Sequence, residues 1–164
     1  MDDLSRLLHG LFHQAADHAA AYRASLAERP VRALADEQTV RAAFRRELPQ
    51  APTPPEKVLE DLVSAADAGL VGSPGPRFFG FVNGGGLPAA TAADMLTAAW
   101  DQVAFNSVLS PAAVAAEEAA GAWLKDLFGI PATASVGFVT GGQGANTVGL
   151  AAAGSTCWPR RAGT

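Results

Sequence analysis

The stretch VGFVTGGQGANTVGL, residues 136–150, is the part of the chain whose reading decides the fold. Val136, Phe138 and Val139 read as a short apolar strand, Gly141 and Gly142 as a turn, and Ala145–Ala153 as the helix that follows. Strand, glycine turn and helix start together make an anion site. The first N–H groups of a helix have no partner within it, the dipole is positive there, and missing Cβ atoms let an anion come close. A purely structural turn is the bland alternative. Two familiar phosphate patterns fail on the residues. No lysine stands where GxxxxGK[ST] needs one, and GxGxxG is met only by Gly142 and Gly144, with Thr147 in the third place and no acidic residue about 20 positions on.

The rest of the chain bounds the answer. It has 164 residues, 49% hydrophobic and 17% charged, which is globular composition. A net charge of −4 argues against nucleic acid and anionic membrane as partners. The one cysteine, Cys157, excludes an internal disulfide and fits a reducing cytoplasm. Met1-Asp2-Asp3 is acidic where a secretory signal is basic, and no apolar run is long enough to span a membrane.

From the N-terminus, Leu4, Leu7, Leu8, Leu11, Phe12, Ala15, Ala19, Tyr22 and Leu26 recur at three- and four-residue intervals. They predict a long amphipathic helix stopped before Pro30. His9, His13 and His18 lie on it without the spacing of a metal site and read as solvated. A second helix is expected over Glu37–Leu48, and a third over Glu56–Ala68 with Pro55 at its first position and Gly69 closing it. The loop GSPGPRFFGFVNGGG, residues 72–86, is too apolar for a solvent loop and is expected to pack against something. Pro88 then starts a helix reaching Ala104. Ser110-Pro111 caps another that ends at Phe128, with Gly129 and Pro131 as stop signals. Glu117 and Glu118 are adjacent, point in different directions and read as structural. Lys57 and Lys125 are expected on exposed helix faces.

Three segments taken together carry a resemblance: PRFFGFVNGGGLPAATAADML (76–96), SPAAVAAEEAAGAWLKDLFGIP (110–131) and GFVTGGQGANTVGLAAA (137–153). In order and spacing they resemble the pyridoxal phosphate-dependent decarboxylases of group II, the aromatic-amino-acid and glutamate decarboxylase type. The resemblance covers about residues 76–153. It implies an α/β chain, the N-terminal part of a fold-type-I pyridoxal phosphate enzyme, with this stretch itself mostly α-helical. It divides the chain into a helical, dimer-forming segment (1–109) with a substrate-side loop (72–87), and the start of the cofactor-binding large domain (110–153). Residues 154–164 form an aberrant tail.

Carried over by position, Gly142, Gln143 and Gly144 bind the phosphate of pyridoxal 5′-phosphate, while Phe81, Leu87 and Pro88 lie near the side chain of an amino-acid substrate. Gln143 replaces the commoner serine or threonine, and Gly75 replaces the usual histidine before the proline. Leu87 stands where aromatic-substrate members carry an aromatic residue, which weighs against an aromatic substrate. The family's chemistry also needs a Schiff-base lysine and an aspartate on the pyridinium nitrogen. Lys57 and Lys125 lie outside any matching motif, so no catalytic residue is assigned, and no metal. The expectation is a truncated amino-acid decarboxylase, a cytoplasmic homodimer in its intact form, inactive as these 164 residues. A non-catalytic helical interaction protein, or part of an aminotransferase or aldolase of the same fold type, are the alternatives.

The tail has its own reading. If Ala153 onward is written in GC-rich codons, a shift of one base yields Arg-Gln-His-Val-Leu-Ala, a helical continuation of the family type. Gly154–Thr164 is therefore expected to be a frameshifted tail without helical period, the alternative being a natural short variant.

Overall fold

The computed structural model describes residues 3–157. Among these residues all regular structure is helical: α1 (Asp3–Ser25), α2 (Glu37–Phe44), α3 (Pro55–Ala66), a 3-10 turn (Asp67–Gly69), α4 (Pro88–Trp100), α5 (Pro111–Phe128) and α6 (Gly142–Cys157). The chain divides into two compact units, Met1–Ala92 and Ala93–Thr164. Among the described residues no helix is long and apolar enough to cross a membrane.

In the first unit, α1 turns its Leu7, Leu11, Ala15, Ala19 and Tyr22 stripe inward and packs on α3, while α2 packs on α3 and on the 3-10 turn. Leu4, Leu8 and Phe12, on the flank of the same stripe, remain exposed. Apolar burial is scant: Leu26, 7% exposed, is the one buried large apolar side chain in the described part of this unit. Polar contacts to the backbone do much of the holding. Leu34 and Ala35 N–H both donate to Ala68 O (2.8 and 2.9 Å), Gly72 N–H donates to Val31 O (2.9 Å), and Tyr22 OH donates to Val71 O (3.0 Å). Gly69 is required by proximity, since a Cβ there would meet Val40 Cγ2 at 2.8 Å.

Helix boundaries depart from the sequence reading where local chemistry intervenes. The second helix stops at Phe44 instead of Leu48. Arg45 turns extended (φ −76°, ψ 94°) and its N–H closes on Arg41 O and Ala42 O, so Leu48 is left exposed ahead of Pro49. The fourth ends at Trp100 instead of Ala104 because Asp101 takes a left-handed conformation (φ 46°), which a short polar side chain tolerates. The sixth continues through 154–157, where the sequence suggested no helix. Ser155 Oγ donates back to Ala152 O (2.8 Å), a local bond that lets serine ride on a helix already formed. The remainder of the expected aberrant tail, 158–164, lies outside the described residues.

Charges on α2 and α3 give this unit a pH signature. Asp61 accepts from Lys57 (2.8 Å) and Arg46 (2.5 Å), and these two bonds, Lys57 first, hold its carboxyl below the ordinary range. The bond to Asp61 raises Lys57 above the usual lysine value. Asp36, capping α2, is lowered by the Thr39 N–H it accepts. Lowered carboxyls stabilise the fold above their unfolded pKa and lose that contribution as pH falls through the folded one. A raised lysine stabilises below its unfolded pKa and loses the contribution as pH rises through the folded one. The melting temperature of the chain is therefore expected to be flat between about pH 5 and 10 and to fall on both sides. Asp61→Asn should shrink the decline on both sides, measured by circular dichroism against pH; an unchanged profile would refute the assignment.

Candidate functional site

In the second unit, α5 begins at Ser110, whose side chain is completely buried. Its hydroxyl accepts from Ala113 N–H (3.2 Å) and donates to Gln102 Oε1 (3.1 Å), while Asn106 Oδ1 accepts from Val108 and Leu109 N–H (both 3.0 Å). The Ser-Pro start expected from the sequence is thus a full cap held by the preceding loop. At the other end Gly129 adopts φ 65°, with Ile130 N–H closing on Lys125 O (2.9 Å).

The connection from α5 to α6 contains the expected strand, and here the structure corrects the sequence. Residues 136–139 are in no strand. A ladder needs a neighbour to exchange hydrogen bonds with, and the described residues supply none, so an apolar alternating run stays irregular. The helix after it begins earlier than expected. Gly142, Gln143 and Gly144 form its first turn, and Ala145 N–H makes the first bond, to Gly141 O (3.0 Å). Backbone N–H groups ahead of that bond have no partner within the helix. A Cβ built on Gly141 or Gly142 meets nothing within 4 Å, so the approach to these groups is open. Thr147 Oγ1 turns back to Gln143 O (3.0 Å). The expected phosphate residues are therefore the exposed N-terminal turn of a 16-residue helix, a geometry that takes an anionic oxygen.

Phe81, Leu87 and Pro88, the expected substrate-side residues, belong to the first unit. Pro88 is the first residue of α4 and Leu87 O accepts the opening bond, from Thr91 N–H (3.1 Å). Phe81 and Val82 occupy a turn closed by Asn83 N–H to Gly80 O (3.3 Å), and both have positive φ (57° and 59°). For an aromatic and a β-branched residue this is strained backbone. The loop expected to pack does so in its first part, where Gly72 is buried and Gly75 and Phe78 are half-buried, while Phe81 and Val82 are 93% and 103% exposed. Val82→Gly is expected to raise stability by about 1 kcal/mol, the relief of strain exceeding the glycine entropy cost. Urea denaturation checks this, and a destabilised variant would show that the strain is compensated.

Both lysines are engaged. Lys57 pairs with Asp61 (2.8 Å) on exposed α3, as expected. Lys125 is not on an exposed face. It is half-buried, and its ammonium donates to Ala132 O (2.9 Å) and Ala134 O (3.2 Å) beside Glu117, Glu118 and Gly121 in an open cleft of ≈ 490 Å³. Sequence alone could not place it, because the acceptors lie on a turn outside the helical period. The histidines are unremarkable: the exposed rings of His9 and His13 stack at 4.1 Å.

Comparison with known proteins decides the family. The model of the pyridoxal-dependent decarboxylase conserved domain matches residues 38–159, most of the chain. The chain belongs to this family. Among curated relatives, this pyridoxal-dependent decarboxylase chain is 27% identical over 145 residues to tyrosine/DOPA decarboxylase 1 of Papaver somniferum, covering 88% of this chain and 27% of that protein. It is 30% identical over 121 residues to phenylacetaldehyde synthase of Petunia hybrida, covering 74% and 24%. The structure of Oryza sativa TDC, solved with PLP and tryptamine, superposes with a TM-score of 0.68 at 26% identity, over 80% of this chain and 28% of that one. The decarboxylase-family chain thus spans about a quarter of the length of the relatives it matches.

Proposed function

We propose that these 164 residues provide the phosphate rim and the substrate-side corner of a pyridoxal phosphate-dependent L-amino-acid decarboxylase. The observation that carries the reading is the first turn of α6, where Gly142, Gln143 and Gly144 have backbone N–H groups without a partner in the helix and the approach is open at Gly142. When bound, pyridoxal phosphate would supply the electron-accepting ring for breaking the Cα–carboxylate bond. The residues present fit its phosphate end. Gly142–Gly144 would hold the anion and orient the group, and Phe81, Leu87 and Pro88 would shape the pocket for the amino-acid side chain. In this reading 110–153 opens the large domain of an α/β fold, 1–109 is the dimer-forming segment, and the intact enzyme is a cytoplasmic homodimer.

Neither lysine suits covalent attachment of the cofactor. Lys57 is held by an ion pair on α3, and Lys125 spends its ammonium on two carbonyls. By this reading the 164 residues alone are inactive. The test is to titrate the chain with pyridoxal phosphate and with pyridoxal, reduce with borohydride, and map the products by mass spectrometry. The phosphorylated form should bind more tightly, with no stoichiometric adduct at Lys57 or Lys125 and no carbon dioxide released from amino acids. Equal binding of both forms would overturn the phosphate rim; a stoichiometric adduct with amino-acid decarboxylation would overturn the claim of inactivity.

A second reading, a helical interaction protein that uses no cofactor, is favoured by the exposed apolar residues of α1 and of the α4 region, among them Phe12, Trp100 and Phe105. It requires that association be independent of pyridoxal phosphate.

A further inference from the structure

We infer that Lys125 is a positioning residue for the N-terminal turn of α6. The inference rests on the phosphate-rim reading and assigns a role to a side chain outside the rim. Its basis is a continuous series of contacts. Lys125 sits in the last turn of α5, and its own carbonyl accepts from Ile130 N–H (2.9 Å). Its ammonium reaches across the turn to Ala132 O and Ala134 O. That turn is closed by Ala134 N–H to Pro131 O (2.9 Å).

One helical turn back on the same face, Gly121 is buried, and a Cβ there would stand 3.3 Å from Val136 Cβ. Val136 therefore lies directly on the α5 backbone. Three residues on, Val139 touches the start of α6: a Cβ on Gly144 would be 3.5 Å from Val139 Cβ. The connecting segment is thus seated at both ends, on α5 by Lys125 and Gly121, and on α6 by Gly144.

Without a strand ladder, this segment needs side-chain anchors. Lys125 is suited to the task because an ammonium gives three donors from a flexible stem, and the residue lines the cleft with Gly121 and Ala122. Hydrogen bonds from a charged donor are stronger than neutral ones. Glu117 and Glu118, expected from the sequence to point in different directions, both line this cleft. In this arrangement Lys125 is kept from reacting and used to fix the direction in which the α6 N–H groups point.

The test uses the 164-residue chain and hydrogen exchange read by mass spectrometry, with inorganic phosphate as probe. In the wild-type chain phosphate should slow exchange in peptides covering 140–147. Lys125→Met, which keeps the stem and removes the donors, should speed exchange over 131–146 about tenfold without phosphate and weaken phosphate protection about tenfold. Helical content and α5 exchange should be unchanged. Lys125→Arg, which restores donors, should recover most of both effects. Wild-type exchange rates over 131–146 in Lys125→Met would overturn the positioning role, whatever phosphate does. Equal loss in the Met and Arg variants would overturn it too, by showing that only the shape of lysine matters. Failure of phosphate to protect the wild-type chain, with faster exchange in Lys125→Met, would overturn the phosphate rim and leave the anchoring of the segment standing.

Discussion

At micromolar concentration the isolated chain is expected to sediment as oligomers or aggregates and to bind a hydrophobic dye. Large apolar side chains stand exposed within each unit taken by itself, among them Phe12, Phe44 and Leu62 in the first and Trp123 and Leu127 in the second. On α5, Trp123 and Leu127 (both 75% exposed) stand one turn apart on the side away from Gly121 and Lys125. Trp123→Glu with Leu127→Glu should lower the mean mass in sedimentation velocity and reduce dye fluorescence. A monomer in the wild-type chain, with one cooperative thermal transition and no dye binding, would refute this.

The same exposed side chains mark which parts of the structure were legible in the sequence. Ser110-Pro111 and Gly129 delimit α5, and Pro55 opens α3, because those signals act within a few residues and need no tertiary partner. The strand at 136–139 failed for the opposite reason: its apolar alternation describes a side chain's preferred surroundings, and the hydrogen bonds of a strand come from another chain segment. The loop of 72–86 divides in the same way: Gly72, Gly75 and Phe78 are buried or half-buried, while Phe79, Phe81 and Val82, whose apolar character equally signalled burial, are exposed. Lys125 was misread because helical periodicity gives a face and says nothing of the turn folded over that face.

The candidate site shows the same division. Gly141 and Gly142 were read as a turn with the helix running from Ala145, whereas the helix begins at Gly142, so Gly142, Gln143 and Gly144 stand in its first turn. The family followed from three motifs in order, and the matched range, 38–159, extends further toward the N-terminus than those motifs. That added range includes α2 and α3, whose amphipathic patterns are too common to identify a family by themselves.

Arg29→Ala is expected to destabilise the first unit by about 2 kcal/mol, among the largest effects of any single substitution there. Its side chain is 13% exposed, in a unit whose apolar core is slight. The guanidinium donates to Asp67 Oδ1 (2.8 Å) and Asp67 O (2.6 Å), and lies 5.2 Å from the centre of the Tyr22 ring. Its backbone carbonyl accepts from Arg77 (2.7 Å), and Tyr22 in turn holds Val71 O. One residue thus ties the end of α1 to the 3-10 turn and to the loop that leads toward Phe81. The ion pair contributes little of this, because Asp67 is more than half exposed and remains solvated when Arg29 is lost. The loss comes from the bond to the Asp67 carbonyl, the contact with Tyr22 and the packing of the arginine stem. Arg29→Lys separates these contributions: it keeps the charge but lacks the planar fork, and should recover less than half of the deficit. Arg29→Met keeps the stem alone. Urea denaturation followed at the α-helical circular dichroism signal ranks the three. Full stability in Arg29→Lys would show that the charge, and not the fork over Tyr22 and Asp67, holds this corner together.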